Sequence, residues 1–475
     1  SVLGAIVARR SGIGPRYRGN YAGPNEDRVR GPGPRVDMSV RNALAPAGRV
    51  LTGLVQRVVR SLVALMPRDP NRWVFGSRGD AYVDNPRYLF EYLVDRGVAP
   101  QSEGPDTPVR ATWISGSPAT VDRIVADGRP ARLRRSLRGS WEVLRAGVAV
   151  YAFDVSDINL ALTGGAVGVN LYHGVPLKQI EDLVTVGSAS RVYHPRTPID
   201  RLRAATVYLA RTVPNDVVLA TSEEVADTMR RAFGARARSV VIGRPPRLGP
   251  ATVAAQRRRT AAGDGPAVLL YAPTWREGGF QLNEALPHLE QLEAALAASD
   301  TQLLIKGHLY DRLALPRRSA SISLVANDEE LGAILGDVDG VITDYSSVMF
   351  DAALIGLPVI FYPFDLDRYR RLSSGTFMFD YDDLVSERVA RSFDQLTEIV
   401  ATGAWRTMVF PASIRDRVWG SEPAVHNGPT DEAPAADPAN RELVRRITEL
   451  ASARHGSHRR GGRPGGDPAS ASGRR

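Results

Sequence analysis

The chain has 475 residues, of which 43% are hydrophobic and 24% charged, values typical of globular proteins and sufficient for two domains. It contains no cysteine, which excludes disulfides and Cys-ligated metals. No run approaches the ~18 apolar residues of a transmembrane helix. Residues 1–10 place their apolar stretch before two arginines, the reverse of a signal peptide, so none is expected.

The net charge of +9 is concentrated at the two ends of the chain. Residues 1–60 carry eleven Arg and three acids, and residues 454–475 carry six Arg and one acid. The chain between them has a net charge of −4. This distribution favours an anionic membrane surface or an anionic polymer as the partner, and no nucleic acid is expected.

The first 68 residues divide into two segments of different character. Residues 1–47 are rich in Gly, Pro and Arg without periodicity, which predicts disorder. Residues 48–68 are predicted to form a basic amphipathic helix, because apolar residues recur at helical spacing and the arginines fall mostly off that stripe. Such a helix can pack on a domain core or lie in a membrane interface, and the surrounding arginines favour the membrane.

From Trp73 onward, short β-rich runs alternate with helical stretches, a pattern typical of parallel sheets with helices on both faces. The predicted strands are 72–77, 111–115, 148–153, 168–171, 217–220, 239–242, 267–272, 301–305, 340–343 and 358–362. The predicted helices between them include 222–233, 283–298 and 347–355.

These elements predict an α/β fold with two doubly wound domains facing a cleft. The first domain covers 69–250 and the second 266–453, joined by a linker at 251–265 that is rich in small residues and arginine. A helix at 440–453 closes the second domain. Residues 454–475 are predicted to be a disordered basic tail.

The segment 342–362 carries the clearest indication of a ligand site. An apolar strand ends in a polar turn, and a helix begins at Ser346 and Ser347. Free backbone N–H groups and the positive end of a helix form an anion site, and Asp351 could accept a hydrogen bond from a sugar or polyol hydroxyl. The alternative is plain N-capping by Asp344 or Ser346, which would be the better interpretation of this segment in isolation.

Three other predicted strands also end in polar side chains. They are followed by His173, Gly174 and Lys178, by Thr274, Trp275 and Arg276, and by Lys306 and His308. The carboxyl ends of parallel strands line the same crevice, so these groups are expected to converge there with the Ser-Ser helix start. Cations and helix N-termini offset the charge of a pyrophosphate and a histidine accepts a proton, which favours phosphoryl transfer.

Four motifs, in this order, resemble those of the CDP-glycerol glycerophosphotransferase family, the teichoic-acid primases and polymerases of bacteria. They are YHGVPLK (172–178), YAPTWR (271–276), KGH (306–308) and TDYSSVMFD (343–351), and the resemblance covers roughly residues 70–400. The chain departs from the family pattern at Tyr172, where the family has Trp, and at Leu309, where it usually has Pro. It also has GRPPRLG (243–249) in place of Gly-x-Pro-Arg-Asn-Asp, with Arg247 or Arg244 matching the family's Arg.

The resemblance implies a GT-B-like fold with a Rossmann-like acceptor domain and a Rossmann-like domain that binds the CDP donor. It implies that an acceptor hydroxyl attacks the β-phosphorus of CDP-glycerol and releases CMP, with His173 and His308 as catalytic residues. The donor-binding residues that it implies are Gly174, Lys178, Arg247, Pro273, Thr274, Arg276, Lys306, Thr343, Asp344, Ser346, Ser347 and Asp351.

No cofactor and no metal are expected beside the donor substrate, and Asp365 and Asp367 are interpreted as part of a surface loop. The expected acceptor is lipid-linked or polymeric, with the protein peripheral at the cytoplasmic face of the cell membrane. Three alternatives stay open: a CDP-ribitol phosphotransferase, a sugar-nucleotide glycosyltransferase or epimerase on the same fold, and a non-catalytic binder of anionic polymers.

Overall fold

The computed structural model describes residues 38–96, 109–211, 213–260, 265–276, 280–307, 313–326, 329–372, 377–385, 388–420 and 438–456. Their strands form two separate sheets in which every pair of neighbouring strands is parallel. The two doubly wound domains predicted from the sequence are thereby confirmed. Each predicted strand overlaps a strand of the structure.

The first sheet has seven strands in the order β3-β2-β1-β4-β5-β6-β7. They are β1 (Asp69–Phe75), β2 (Arg110–Ser115), β3 (Ala131–Leu133), β4 (Ala146–Tyr151), β5 (Val167–Asn170), β6 (Val217–Ala220) and β7 (Val240–Ile242). All residues of β4, β5 and β6 are buried, as expected for central strands of a parallel sheet covered on both faces. The strand order reverses between β1 and β4, which sets the ligand crevice at the carboxyl ends of these strands.

Eight helices precede the second sheet in the described residues. They are α1 (Met38–Val63), α2 (Asp84–Arg96), α3 (Pro118–Ala126), α4 (Leu137–Arg145), α5 (Gly187–Tyr193), α6 (Pro198–Arg211), α7 (Glu223–Phe233) and α8 (Leu248–Thr260). Serine side chains cap α3, α4 and α7 by accepting a hydrogen bond from the backbone three residues on.

The second sheet has five strands in the order β10-β9-β8-β11-β12, which reverses between β8 and β11. They are β8 (Ala267–Tyr271), β9 (Thr301–Ile305), β10 (Ile322–Leu324), β11 (Gly340–Thr343) and β12 (Val359–Phe361). The helices that follow are α9 (Leu282–Ala285), α10 (Leu289–Ala298), α11 (Leu331–Leu335), α12 (Val348–Ile355), α13 (Leu366–Leu372), α14 (Tyr381–Val385), α15 (Phe393–Ala401), α16 (Ala412–Trp419) and α17 (Pro438–Gly456).

The N-terminal helix differs from its predicted bounds. It begins at Met38 and ends at Val63, so residues 38–47, predicted to be disordered, are helical, and residues 1–37 lie outside the described residues. Alanine and leucine in 43–45 are good helix formers and extend the helix toward its N-terminus. No helix in the described part of the chain is long and apolar enough to cross a membrane.

Much of the segment predicted as a linker is instead helix α8. Ala251 and Ala255 on this helix are buried, and a Cβ built at Gly336 would lie 2.5 Å from the Cβ of Ala254. The small residues that suggested a linker therefore allow α8 to pack closely against the residues that end α11. Residues 261–264 lie outside the described part of the chain.

The last helix belongs to the first domain and not, as predicted, to the second. Leu443, Val444 and Ile447 of α17 are buried in the core formed by β1, β4 and β5. Arg454, which was predicted to lie in the disordered tail, is in the last turn of this helix and donates to both carboxylate oxygens of Asp216, at 2.8 and 2.5 Å. The apolar spacing of α17 predicts a buried face, but it does not say which sheet that face covers.

Candidate active site

The loop after β5 holds His173 and Gly174 at the carboxyl edge of the first sheet. The Asn170 Oδ1 accepts from the Tyr172 amide at 2.9 Å, and Asn85 Nδ2 donates to the Tyr172 carbonyl at 2.8 Å. Tyr172 has a φ of +52° and Gly174 a φ of +147°, so the backbone turns on both sides of the histidine. The imidazole is exposed and stacks on the Tyr172 ring at a centroid distance of 4.3 Å.

The surroundings of His173 favour the neutral imidazole. Although one side of the ring is open to solvent, the crowding of protein atoms around it lowers its pKa, the Asp84 carboxylate opposes this, and Arg247 and Arg78 add to it. A pKa below the ordinary value of about 6.5 leaves the ring neutral at pH 7. A neutral ring has a nitrogen that can accept a proton, as a general base must.

Gly174 lies where the two domains meet. A Cβ built on it would be 3.3 Å from Ser347 Oγ, in the second domain, and 3.3 Å from Arg247 Nη2. A glycine here allows the histidine loop and the start of α12 to approach each other closely. The structure thus brings together two of the motifs that were expected to converge.

Arg247 joins carboxylates from both domains. It is buried, its Nη1 donates to Asp84 Oδ1 at 3.2 Å, and its Nη2 donates to Asp351 Oδ2 at 2.6 Å. Burial raises the pKa of Asp351, and Arg247 acts in the opposite direction. The second oxygen, Asp351 Oδ1, is buried without a hydrogen-bond partner among the described residues. Of the two candidate arginines, Arg244 is exposed and Arg247 has this position.

At the carboxyl edge of the second sheet, Asp344 is surrounded by donors. Its Oδ1 accepts from the Thr274 amide at 2.8 Å, the Thr274 hydroxyl at 2.7 Å and the Tyr345 amide at 2.5 Å. Its Oδ2 accepts from Arg276 Nη2 at 2.7 Å. These bonds connect the ends of β8 and β11, the strands between which the order reverses.

The interpretation of Asp365 as part of a surface loop is wrong. Its side chain is 6% exposed, and its carboxylate accepts from Arg276 Nε at 2.9 Å and Nη2 at 2.8 Å. Asp365 lies between the end of β12 and the start of α13, at the carboxyl edge of the second sheet. Asp367 is exposed in the first turn of α13. Arg276 is therefore paired with two carboxylates. No group of three or more potential metal ligands gathers in the part of the chain that the structure describes.

Lys178 reaches the same region from the first domain. Its ammonium lies 5.0 Å from the centroid of the Tyr369 ring, on which the Arg276 guanidinium also lies, at 4.9 Å. The backbone of Lys178 pairs with Phe377 in an isolated bridge between the domains. Burial lowers the pKa of Lys178 to about 8, while Asp344 raises it and Arg276 lowers it.

The serines at the start of α12 do not form an ordinary side-chain cap. Ser347 is the N-cap residue and makes no side-chain capping bond, and Ser346 Oγ is 3.5 Å from the Val348 amide. The Asp344 side chain bonds to Thr274, Tyr345 and Arg276 instead. Plain N-capping therefore does not account for these residues.

The remaining predicted residues have different positions. The Thr343 hydroxyl donates to the Ala272 carbonyl at 2.7 Å, and Pro273 is buried in the turn that follows. Lys306 is buried after β9 and its Nζ contacts the Gly307 carbonyl at 3.1 Å. His308 lies outside the described residues.

Four further residues, not predicted from the sequence, lie at or next to this site: Asp84, Asn85, Phe153 and Arg78. Asp84 and Asn85 begin α2 and hold Arg247 and the histidine loop. Arg78 and Phe153 follow β1 and β4, so their position after strands is the signal that could have identified them.

Comparisons with known proteins show the family to which the chain belongs. The family model described as CDP-Glycerol:Poly(glycerophosphate) glycerophosphotransferase matches residues 58–416. The chain is 23% identical over 377 residues to the teichoic acid poly(glycerol phosphate) polymerase of Bacillus spizizenii, covering 74% of this chain and 88% of the relative. It is 34% identical over 131 residues to the teichoic acid ribitol-phosphate primase of the same species, covering 27% and 33%.

Not every relative is matched over its length: the chain spans less than half of two further curated relatives. Among solved structures, the wall teichoic acid polymerase TagF superposes with a TM-score of 0.58 and 20% identity, over 88% of this chain and 99% of that one. This likeness identifies the fold as GT-B, with two Rossmann-like domains. Because the family model extends from α1 to α16, the chain belongs to the CDP-glycerol:poly(glycerophosphate) glycerophosphotransferase family of teichoic acid primases and polymerases.

Proposed function

We propose that this chain transfers glycerol phosphate from CDP-glycerol to a hydroxyl of a lipid-linked or polymeric acceptor and releases CMP, in the synthesis of a teichoic-acid-like cell-wall polymer. The observation that carries the proposal is the approach of the His173 loop to Ser347, with a built Cβ of Gly174 lying 3.3 Å from Ser347 Oγ. The loop that carries His173 then lies next to the N-terminus of a helix of the second domain. This arrangement suits a base and an anionic donor.

The proposed reaction is a single displacement at phosphorus. The acceptor oxygen forms a bond to the β-phosphorus of the donor while the bond from that phosphorus to the CMP oxygen breaks. The hydroxyl proton passes to His173, and CMP leaves as a phosphate monoester. Positioning of the acceptor and donor and stabilisation of the phosphoryl charge supply most of the acceleration in such reactions.

Lys178 and the start of α12 are the groups proposed to offset the charge of the donor pyrophosphate, and the proposal includes no metal. Arg276 and Arg247 are already paired with carboxylates, so their proposed contribution is to hold Asp344 and Asp351 in place. Asp351 Oδ1, which is buried and lacks a partner among the described residues, is proposed to accept from a hydroxyl of the donor glycerol.

The test is a comparison of activated donors with one lipid-linked acceptor. We expect CMP release and incorporation of glycerol phosphate with CDP-glycerol. CMP release with CDP-ribitol and not with CDP-glycerol would support the same type of reaction with ribitol phosphate as the transferred group. Release of UDP from a UDP-sugar alone would contradict the proposal in favour of a glycosyltransferase, and binding of polyanions without turnover of any donor would favour a non-catalytic binder.

We also propose that α1 attaches the protein to an anionic bilayer at the cytoplasmic face of the cell membrane. Its exposed apolar side chains recur at helical spacing and include Leu51, Leu54, Val55, Val58, Leu62 and, just beyond the helix, Leu65. Helix α6 packs beside α1 and adds the exposed Ile199 and Leu202, with the exposed Arg201 and Arg203 next to them. An apolar stripe bordered by arginines fits a membrane interface.

Arg60 on α1 contacts the first domain. Its Nη1 donates to the Leu160 carbonyl at 2.9 Å and to the Thr163 hydroxyl at 2.8 Å. These contacts attach one side of α1 to the first domain and leave the apolar stripe on the opposite side exposed. Removing the whole helix would therefore disturb the domain, and point substitutions are the better test.

The membrane test uses the pair of substitutions Leu54→Glu and Val58→Glu in the full chain. Co-sedimentation with vesicles of anionic phospholipid should fall strongly, because two apolar contacts become acidic. Val409→Glu is the matched control, since Val409 is 53% exposed in the second domain. Equal sedimentation of all variants would place the attachment elsewhere.

A further inference from the structure

The cation Arg78 lies at the carboxyl edge of the first sheet, two strands along from His173. Arg78 follows β1, Phe153 follows β4 and His173 follows β5, which are three neighbouring strands. The Arg78 Cζ lies 5.1 Å from the centroid of the Phe153 ring, and this centroid lies 5.9 Å from that of His173. The three side chains therefore form a row along the sheet edge.

Arg78 has no carboxylate partner among the described residues, unlike several other arginines of the first domain. In the first domain, Arg72, Arg87, Arg110, Arg129 and Arg134 each pair with an acid. Arg78 is exposed, and its guanidinium lies over the face of the Phe153 ring. A guanidinium supported by an aromatic ring keeps its outer N–H groups available for an anion.

The turn that carries Arg78 is held on both sides. Gly79 and Asp80 have φ values of +67° and +62°, so the chain reverses directly after the arginine. Asp80 accepts from the Gly116 amide at 2.8 Å and from Arg134, whose Nη2 also donates to the Asp157 carbonyl at 2.7 Å. The position of the Arg78 backbone is thereby fixed relative to the sheet.

The same turn contains a buried hydroxyl, that of Ser77, without a hydrogen-bond partner in the described residues. Ser77 is 2% exposed. A buried hydroxyl without a partner costs free energy unless a ligand or water satisfies it. Ser77 and Arg78 are consecutive in this turn, with the Ser77 hydroxyl buried and the Arg78 guanidinium exposed.

We propose that Arg78 binds a phosphate group of the incoming acceptor, the one next to the hydroxyl that His173 deprotonates; this inference rests on the proposed function. Gly174, the residue after His173, approaches Ser347 at the proposed donor site. An anion beside Phe153 is therefore assigned to the acceptor and not to the donor. One glycerol unit separates the terminal hydroxyl of a glycerol phosphate chain from its nearest phosphate. The Phe153 ring provides a spacing of this kind between Arg78 and His173.

The experiment measures binding of two soluble acceptor analogues by calorimetry, without donor. One is a glycerol dimer joined by a single phosphodiester, and the other is a neutral glycerol dimer joined by an ether. Arg78→Ala should weaken binding of the phosphodiester dimer about 10- to 100-fold, the usual effect of losing a charge-assisted hydrogen bond. Binding of the neutral dimer should not change, and Arg78→Lys should restore part of the affinity.

Arg123→Ala is the control for charge, because Arg123 is exposed on α3 of the same domain, and it should bind both dimers as the wild type does. In turnover, Arg78→Ala should raise KM for a phosphate-bearing acceptor and leave kcat and the donor KM unchanged. The proposal is overturned if the phosphodiester dimer fails to bind the wild type, binds Arg78→Ala equally well, or loses no more affinity than the neutral dimer. Absence of CMP release by the wild type would instead overturn the proposed function, and the binding result would still decide the role of Arg78.

Discussion

The carboxyl edges of the two sheets carry polar side chains in contrasting states. At the second sheet, the Asp344 carboxylate accepts from Thr274, Tyr345 and Arg276, and Arg276 is in turn paired with Asp365. At the first sheet, His173 and Arg78 are exposed. The His173 ring contacts Tyr172 and Phe153, and the Arg78 guanidinium lies over Phe153. The edge of the second sheet is a closed network of ion pairs and hydrogen bonds. The edge of the first sheet presents exposed side chains that can still form hydrogen bonds with a ligand.

The contrast suggests that the two domains contribute in different ways. Groups that are already bound to one another keep their positions when a ligand arrives, which is useful where a charged donor must be held in a fixed orientation. A neutral imidazole and an available guanidinium can instead take up a proton and an anion. Substitution of Arg276 at the second edge should therefore affect stability, whereas substitution of the exposed His173 or Arg78 should affect catalysis or acceptor binding with little change in stability.

The largest expected effect is that of His173→Ala. Loss of a general base lowers kcat by about 10²- to 10⁴-fold. Because the ring is exposed, the free energy of unfolding should change by no more than about 0.5 kcal/mol. His288→Ala is a matched control, since His288 is also exposed and contacts one aromatic ring, Phe393, but lies outside the cleft. Near wild-type turnover in folded His173→Ala would remove the histidine from the reaction.

Arg276→Ala should produce the next largest effect, and on stability. Removing the guanidinium leaves Asp344 and Asp365 buried without their counter-ion, which typically costs about 3–5 kcal/mol. Urea denaturation of the whole chain measures the change. Arg317→Ala removes a surface pair with Glu293 and should cost no more than about 1 kcal/mol. If Arg276→Ala were as stable as wild type and only its donor KM rose, the second edge would not be the closed network described above.

Gly174→Ala tests the contact between the two edges. The φ of +147° disfavours any residue with a Cβ, and the new methyl group would lie 3.3 Å from Arg247 Nη2 and Ser347 Oγ. Strain of this kind costs about 1–3 kcal/mol, and turnover should fall because the domains are held apart. Gly128→Ala separates strain from crowding, since Gly128 has a φ of +76° and no atom within 4 Å of its built Cβ. Equal turnover in both variants would mean that the close approach at Gly174 is not needed.

Much of the fold and part of the site could be predicted from the sequence because both depend on local patterns. Buried parallel strands are continuous apolar runs, and polar residues directly after them lie at the carboxyl edge of the sheet, which predicted the positions of His173 and Arg276 there. The edge strands β3 (Ala-Arg-Leu) and β10 (Ile-Ser-Leu) were not predicted, because a charged or polar residue interrupts each apolar run. The last helix was placed in the wrong domain because an apolar stripe does not specify the sheet that it covers.

The partners of the site residues were the less predictable part. The sequence predicts Asp365 to be a surface residue, because two Asp residues separated by one position are common in loops. Nothing in the neighbouring sequence indicates that Arg276 is its partner. The sequence also presented Arg247 as a free cation for the donor, whereas it joins Asp84 and Asp351 from elements 163 and 104 positions away. Such pairings follow from tertiary packing and leave no periodic signal in the chain.

The smallest expected effect is a shift in the pH profile of kcat/KM for the donor, which reports on groups of the free enzyme. The acid limb belongs to His173, whose pKa is lowered, so activity should fall only as pH drops below about 6.5. The alkaline limb belongs to Lys178, whose pKa is lowered to about 8 by burial. Its ammonium is present below that pH and is lost as pH rises through it, which removes a cation from the proposed pyrophosphate site.

Lys178→Arg sharpens this assignment because a guanidinium stays protonated across the accessible pH range. The alkaline limb should move upward while the acid limb stays in place, since His173 is unchanged. The planar guanidinium can still lie on the Tyr369 ring, where the lysine ammonium is 5.0 Å from the centroid. An alkaline limb near pH 8 in both proteins would assign that limb to another group.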